Sequence, residues 1–264
     1  TKEKRSQPQP LMKVADSTLL TLVKNNFDRH EEDNNIDFYY EHNVPKMISR
    51  EGPKAAVADV NGDGLEDIYI GGTQVHPGQL YLQTASGKFE KKTEPGFLPF
   101  SDFEDEAVLF FDADHDGDQD LFIGSGGNNN HAYSRQMQNR LFLNDGHGNF
   151  TIDPNAFPNN PNGANTGVAI ADDFNSDGFM DLFVGGRSVP REYGSPPASY
   201  LYVNDGKGHF TDIAATKNPD IAHIGMVTGA SWSDMDGDGR KDLVIAGEWM
   251  APRIFSYRND HFTE

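Results

Sequence analysis

The chain predicts an all-β fold, a β-propeller of four-stranded antiparallel blades, on three observations. A nine-residue loop of the form D-x-[DN]-x-D-G-x-x-D occurs four times, beginning at Asp59, Asp112, Asp173 and Asp234. Successive loops start 53, 61 and 61 residues apart, the period of a propeller blade rather than of a solenoid turn. Each unit also holds four short β-type runs, rich in β-branched and aromatic residues and too short for helices.

In each unit the first run precedes the loop: Ala55–Val60, Ala107–Phe111, Val168–Ala171 and Gly229–Ser233. The second follows it: Ile68–Ile70, Leu121–Ile123, Leu182–Val184 and Leu243–Ile245. The third is Leu80–Leu82, Leu141–Leu143, Leu201–Val203 and Ile254–Tyr257, and the fourth starts at Phe89, Phe150, Phe210 and Phe262. Asn144-Asp145-Gly146 and Asn204-Asp205-Gly206 follow the third run, and Asn-Asp-Gly is hairpin chemistry. The runs divide residues 51–264 into blades at about 51–104, 105–165, 166–226 and 227–264. Residues 1–50 read as a leader with a polar, proline-containing start. Leu19, Val23 and Phe27 predict a short helix over residues 17–27, with Asp16 or Ser17 as its N-cap. Ile36–Glu41 alternates weakly and predicts a strand, the leftover or closing strand of an open arc of four blades.

The repeated loop has the chemistry of a hard-cation site. Oxygen side chains stand at its positions 1, 3, 5 and 9: Asp59, Asn61, Asp63 and Asp67; Asp112, Asp114, Asp116 and Asp120; Asp173, Asn175, Asp177 and Asp181; Asp234, Asp236, Asp238 and Asp242. Calcium takes six to eight such oxygens, and an all-oxygen set favours calcium or magnesium over zinc or copper. Position 6 is glycine in every copy, as a turn of unusual φ requires. Position 7 offers its backbone carbonyl, so its side chain varies freely: Leu65, Asp118, Phe179, Arg240. An EF-hand begins in the same way but needs a glutamate at position 12 and flanking helices. Position 12 here is Ile70, Ile123, Val184 and Ile245. About four calcium ions, one per loop, are expected.

The net charge is −19, from 41 acidic and 22 basic residues. Much of the excess lies in the loops, and no basic stripe offers itself to nucleic acid. The chain has no cysteine, so disulfides and thiolate metal sites are excluded. Loops that bind calcium weakly suit an extracellular, cell-surface or periplasmic setting, where calcium is millimolar. No apolar run approaches the roughly 20 residues of a membrane helix.

On these residues the chain resembles the FG-GAP/VCBS repeat family, which includes the calcium-binding N-terminal β-propeller of integrin α subunits. In that family the same loop joins the first two strands of a blade, and the resemblance covers residues 52–264. Ser49–Pro53, Gly185–Pro190 and Gly247–Met250 are similar to segments of large secreted or surface FG-GAP proteins of Bacteroidetes-type bacteria. Integrin-like propellers have seven blades, and four are readable here.

Catalytic signatures do not emerge. There is no H-E-x-x-H or H-x-H spacing, no G-x-S-x-G elbow and no phosphate-binding glycine loop. Most carboxylate pairs that could mimic a glycosidase dyad sit at the loop positions above. The reading is therefore a non-catalytic binding module for protein or glycan, stabilised by calcium. The alternative is a scaffold or part of a polysaccharide-processing enzyme. In an antiparallel meander the calcium loops share one end with the connections from third to fourth strands. The longer loops at the other end are the expected ligand face. They bring Asn128, His131, Tyr133, Arg135, Arg187, Arg191, Tyr193 and Trp249, and aromatic and arginine side chains anchor binding hot spots. Trp232, in the run before the fourth loop, is expected to pack in the core. An open arc leaves terminal blade faces free for self-association.

Overall fold

The computed structural model of the protein describes residues 25–158 and 162–264. Sixteen strands form four separate antiparallel sheets, each a meander in chain order. The first blade is β1 (Ala55–Ala58), β2 (Asp67–Ile70), β3 (Gln79–Gln83) and β4 (Phe89–Lys92). The second is β5 (Asp105–Phe111), β6 (Asp120–Ser125), β7 (Arg140–Asn144) and β8 (Phe150–Asp153). The third is β9 (Asn165–Asp172), β10 (Asp181–Ser188), β11 (Tyr200–Asn204) and β12 (Phe210–Asp212), and the fourth β13 (Met226–Ser233), β14 (Asp242–Glu248), β15 (Arg253–Arg258) and β16 (His261–Thr263). The sixteen blade runs read from the sequence each fall on one of these strands, the first of them, Ala55–Val60, running two residues past β1. No helix among the described residues is long and apolar enough to cross a membrane.

Alternation within each strand sends successive side chains to opposite neighbours. Ala107, Leu109 and Phe111 of β5 pack toward the third blade, while Val108 and Phe110 pack toward the first. Three apolar cores therefore lie between successive sheets. A 3-10 segment, Pro95–Phe100, plugs the first of them with Phe97. That ring sits edge-on to Tyr69 at 5.3 Å and to Phe142 at 5.2 Å; burying one such ring is worth about 2–3 kcal/mol. Trp232 stacks on Phe174 at 5.8 Å, the core role expected of it.

The first strands pack side by side in the order β1, β5, β9, β13. Among the described residues β13 does not pack along β1, so the blades form an arc. Val57, on the free side of β1, is 55% exposed, and Ile254, on the free side of the fourth blade, is 40% exposed.

The leader departs from expectation. The expected helix over 17–27 falls outside the described residues up to residue 24, and residues 25–27 are not helical. The expected strand at Ile36–Glu41 is instead a 3-10 turn, Asp37–Tyr39. Local bonding overrides the weak alternation. The Tyr40 and Glu41 N–H groups both donate to the Asp37 carbonyl at 2.9 Å. The buried Asp37 carboxylate accepts from Asn35 Nδ2 and the Ser49 N–H, both at 2.9 Å.

The leader is a strap laid across one end of the arc. Phe27 packs on Tyr81 and Phe89 of the first blade, at 4.7 and 5.2 Å. The Glu31 carbonyl accepts from Thr73 Oγ1 at 3.0 Å. Asp33 takes the Asn129 amide in the second blade. Glu41 accepts from Asn128 Nδ2 at 2.9 Å and from the Tyr193 N–H in the third blade. Val44 and Ile48 are buried with Tyr193 and with Met226 of the fourth. Two short helices, α1 (Ala214–Lys217) and α2 (Pro219–Ala222), also went unanticipated. Pro219 at the first position of α2 was their one sequence signal.

Candidate functional site

Each aspartate loop joins the first and second strands of its blade, and its backbone is wound around its own carboxylates. The position 1 carboxylate accepts from the position 6 glycine N–H in all four copies: Asp59–Gly64 2.7 Å, Asp112–Gly117 3.1 Å, Asp173–Gly178 2.9 Å and Asp234–Gly239 2.9 Å. Position 5 accepts from the position 7 N–H at 2.9 Å in all four, the donors being Leu65, Asp118, Phe179 and Arg240. The position 6 glycines have φ between 82° and 95°, the left-handed region where a Cβ would be strained.

Position 9 serves the fold directly. Asp67 is fully buried and accepts from the Val60 N–H at 3.1 Å and the Gln83 N–H at 2.8 Å. Asp120 does the same with Ala113 and Asn144, both at 2.8 Å. Asp242 takes the Met235 N–H at 2.9 Å and the Ser256 hydroxyl at 2.6 Å. Asp181 takes the Asn204 N–H at 2.9 Å, and its Oδ2 is buried without a partner. This aspartate ties the loop to the end of the third strand as well as lining it.

The loops present the oxygens a cation needs. Asp112, Asp114 and Asp116 each bring an oxygen within 4.8 Å of the others, as do Asp234, Asp236 and Asp242. Asp112 Oδ1 and Asp114 Oδ1 are buried and unpartnered, an arrangement that costs about 1–3 kcal/mol per group unless something fills it. Burial pushes Asp120 up to about 7, against the N–H bonds from Asn144 and Ala113 and with help from Asp114 and Asp116. Burial also pushes Asp181 up to about 7, aided by Asp177 and Asp173. A divalent ion of the calcium class fits this donor set, which is all oxygen and short of positive charge. The fourth loop differs: Arg258 Nη2 lies 3.1 Å from Asp236 and 2.9 Å from Asp238.

Two of the position 7 side chains reach the neighbouring hairpins. Asp118 and Phe179 lie over the hairpin glycines Gly146 and Gly206 of their own blades. The aspartate loops and the third-to-fourth-strand hairpins thus share one end of the sheet.

The other end is divided between strap and solvent. Burial takes three expected ligand-face residues out of contact range. Arg187 is 3% exposed and holds Glu248 through two bonds of 2.8 and 3.1 Å. Tyr193 is buried, its hydroxyl on Glu248. Asn128 is buried between Glu41 and the Arg191 N–H. Burial raises the Glu248 carboxyl, but bonds from Tyr193 and Arg187 bring it below its ordinary value. These groups fix the strap. Arg135 is exposed but engaged by Asp102 at 3.1 Å and by the Phe103 ring at 4.8 Å. His131 is exposed.

Tyr133, Arg191 and Trp249 stay outside. Tyr133 is 68% exposed and Trp249 76%, and Arg191 is exposed with its guanidinium 5.3 Å from the Tyr40 ring. Trp249 stands edge-on to Tyr193 at 5.4 Å. All three have left-handed backbones, with φ of 64°, 65° and 58°. Sequence reading missed Tyr39 and Tyr40, 73% and 64% exposed on the strap. Their signal was an aromatic run, Phe38-Tyr39-Tyr40, within the mostly charged and polar stretch 28–43.

A profile of the FG-GAP-like repeat matches residues 59–123, 112–184 and 173–245. Cartilage acidic protein 1 of Xenopus tropicalis is 27% identical over 127 residues, which span 43% of this chain and 18% of that protein. The chain therefore covers less than a fifth of that relative's length. Among solved structures, an Agrocybe aegerita lectin described as specifically recognising non-reducing terminal N-acetylglucosamine matches with a TM-score of 0.51 at 18% identity, over 79% of this chain and 50% of the lectin chain. At that identity the likeness is one of fold, a lectin β-propeller.

Proposed function

The chain belongs to the FG-GAP-like repeat family, and from that premise we propose that it is a calcium-stabilised, non-catalytic binding module that captures a glycan or protein ligand outside the cytoplasm. One observation carries the ligand face. Loops of the second, third and fourth blades each present one large exposed side chain, Tyr133, Arg191 and Trp249, from a left-handed backbone position. That conformation costs a non-glycine residue about 1–2 kcal/mol, and such strain concentrates where recognition needs a fixed side chain. Aromatic rings stack on sugar faces and fill protein pockets alike, and arginine adds directional donors. The lectin fold makes a glycan the first probe.

Calcium supports this reading from the opposite end. It would be held by the carboxylates and amides at positions 1, 3 and 5 of each loop, with position 9 closing the fold beneath. Extracellular calcium is abundant enough to fill weak loops. The decisive experiment is a glycan array with the wild-type chain and the Tyr133→Ala/Arg191→Ala/Trp249→Ala variant, both in calcium. Capture by the wild type, its loss in a variant with the same calcium-dependent melting shift, supports the assignment. Equal capture by both proteins would refute the face.

A further inference from the structure

Eight residues before the four loops stand Glu51, Glu104, Asn165 and Met226. Asn165 and Met226 open β9 and β13, Glu104 immediately precedes β5, and Glu51 lies four residues ahead of β1. First strands line the axis of the arc, so these equivalent positions meet at its strap end, roughly 25 Å from the aspartate loops at about 3.3 Å per residue. Two residues on, the second blade has a β-bulge: Asp105 pairs with Ser125 and Ala107 with Gly124, leaving Glu106 unpaired. Such a bulge re-aims a side chain. The third blade has Gly167 at the corresponding bulge.

The bulge sends Glu106 inward. It is 4% exposed and Glu104 is 2% exposed. Both have an oxygen, Glu106 Oε1 and Glu104 Oε2, that is buried and without a hydrogen-bond partner. An independent group points the same way. Asn165 is fully buried, and its Nδ2 donates to Ser188 Oγ at 2.9 Å. That bond turns Oδ1 the other way, where it has no partner. Over Gly126, at the point a Cβ would occupy, Asn165 Oδ1 is 3.3 Å away and Glu106 Cγ 2.4 Å. Over Gly127, Asn129 Oδ1 is 2.7 Å away and Glu104 Cγ 3.3 Å, and this amide oxygen is unpartnered too. Two glutamate side chains and two amide oxygens thus crowd a pair of glycines that leave them room, and one oxygen of each glutamate and both amide oxygens lack a donor.

We propose that Glu104 and Glu106, with the Asn165 and Asn129 amide oxygens, form a cation site that takes one divalent ion of the calcium class at the axial end of the arc, separate from the four aspartate loops. Two carboxylates and two amide oxygens are hard donors of the kind calcium prefers, with water completing the set. The ion supplies the positive charge the cluster lacks. Lys54 is the cation that eases Glu106, and it leaves the group under-compensated: burial still pushes Glu106 up to about 8. Burial, with Glu106 and Glu32 beside it, pushes Glu104 up to about 9.

The test counts ions on the intact chain. Equilibrium dialysis with radioactive calcium should show one ion fewer per chain in Glu104→Gln/Glu106→Gln than in the wild type, while Asp177→Asn loses a loop ion and keeps the axial one. An unchanged count in the folded double variant overturns the proposal. Should that variant fail to fold, long-wavelength anomalous diffraction from wild-type crystals in calcium decides it. A peak between Glu104, Glu106 and Asn165 is expected, whether or not the loops also show peaks. Its absence there overturns the site.

Discussion

The Asn204 side-chain amide donates to the Ala113 carbonyl at 2.8 Å, across the boundary between the third and second blades. Asn144 reaches the Val60 carbonyl in the same way, at 2.8 Å, from the second blade to the first. Val60 and Ala113 hold position 2 of their loops, and their N–H groups are bonded to the position 9 aspartates. Each hairpin asparagine therefore fastens the preceding blade's aspartate loop from outside. Removing Asn144 leaves the buried Val60 carbonyl without its donor, at about 1–3 kcal/mol, whereas the Ala113 carbonyl keeps the Gly208 N–H at 3.1 Å when Asn204 is removed. Asn144→Ala should lose stability of that order in urea denaturation, Asn204→Ala should lose less, and Asn149→Ala, in an exposed turn, should lose nothing measurable. Equal effects of all three would remove the asparagines from this role.

Calcium should stabilise the fold. At ten times its Kd an ion bound only by the folded state contributes about 1.4 kcal/mol per site. Chelator should lower the Tm, and Asp63→Ala or Asp177→Ala should shrink the difference between calcium and chelator. Superimposable melting curves in calcium and excess chelator would contradict it.

The fourth loop should be the weakest of the four. Arg258 already stands against Asp236 and Asp238, and an incoming ion must displace it. An exposed ion pair of this kind is worth about 0.2–1 kcal/mol. Arg258→Ala should therefore tighten calcium binding at this loop by up to about fivefold by calorimetry. Weaker binding in the variant would show that the arginine assists the site.

Without calcium, stability should fall as pH rises. Glu104 and Glu106 titrate near 4.5 when unfolded and are held up to about 9 and about 8 in the fold. Below 4.5 both states carry the protons, and the contribution is fully present. Above it only the folded chain retains them, at a loss of about 1.4 kcal/mol per pH unit for each retained proton. The Tm in chelator should drop between about pH 5 and pH 8, and Glu104→Gln/Glu106→Gln should flatten that drop. The check is a pH series of melts of both proteins.

The free blade faces should associate. Val57 and Ile254 lie on opposite ends of the arc and expose apolar surface of the kind that seeks cover. Light scattering of this chain should report dimers or larger species, and Val57→Lys should reduce them.

The blades were legible because their signal repeats. Sixteen short runs are ambiguous one by one, but four copies at a steady spacing settle both strand identity and order. The aspartate loops were legible for the same reason, since Gly64, Gly117, Gly178 and Gly239 recur where the turn requires them. The leader occurs once and has no such support. Its course depends on tertiary partners, Asp37 with Ser49 and Glu41 with Asn128 and Tyr193, which no local pattern announces. Arg187 and Tyr193 were misplaced on the ligand face for that reason. A loop arginine reads as exposed until the Glu248 carboxylate that holds it is seen.

In a stack of repeats each unit touches only its neighbours, so an end unit can fray while the rest stays folded. The strap changes that arithmetic. It meets Tyr81 in the first blade, Asn128 in the second, Tyr193 in the third and Met226 in the fourth. Opening the fourth blade exposes Val44 and Ile48, and lifting them loosens the same segment from the other three. Four modules of nearest-neighbour design should thereby melt as one cooperative unit. A protease cut in the strap should split a single unfolding transition into successive ones.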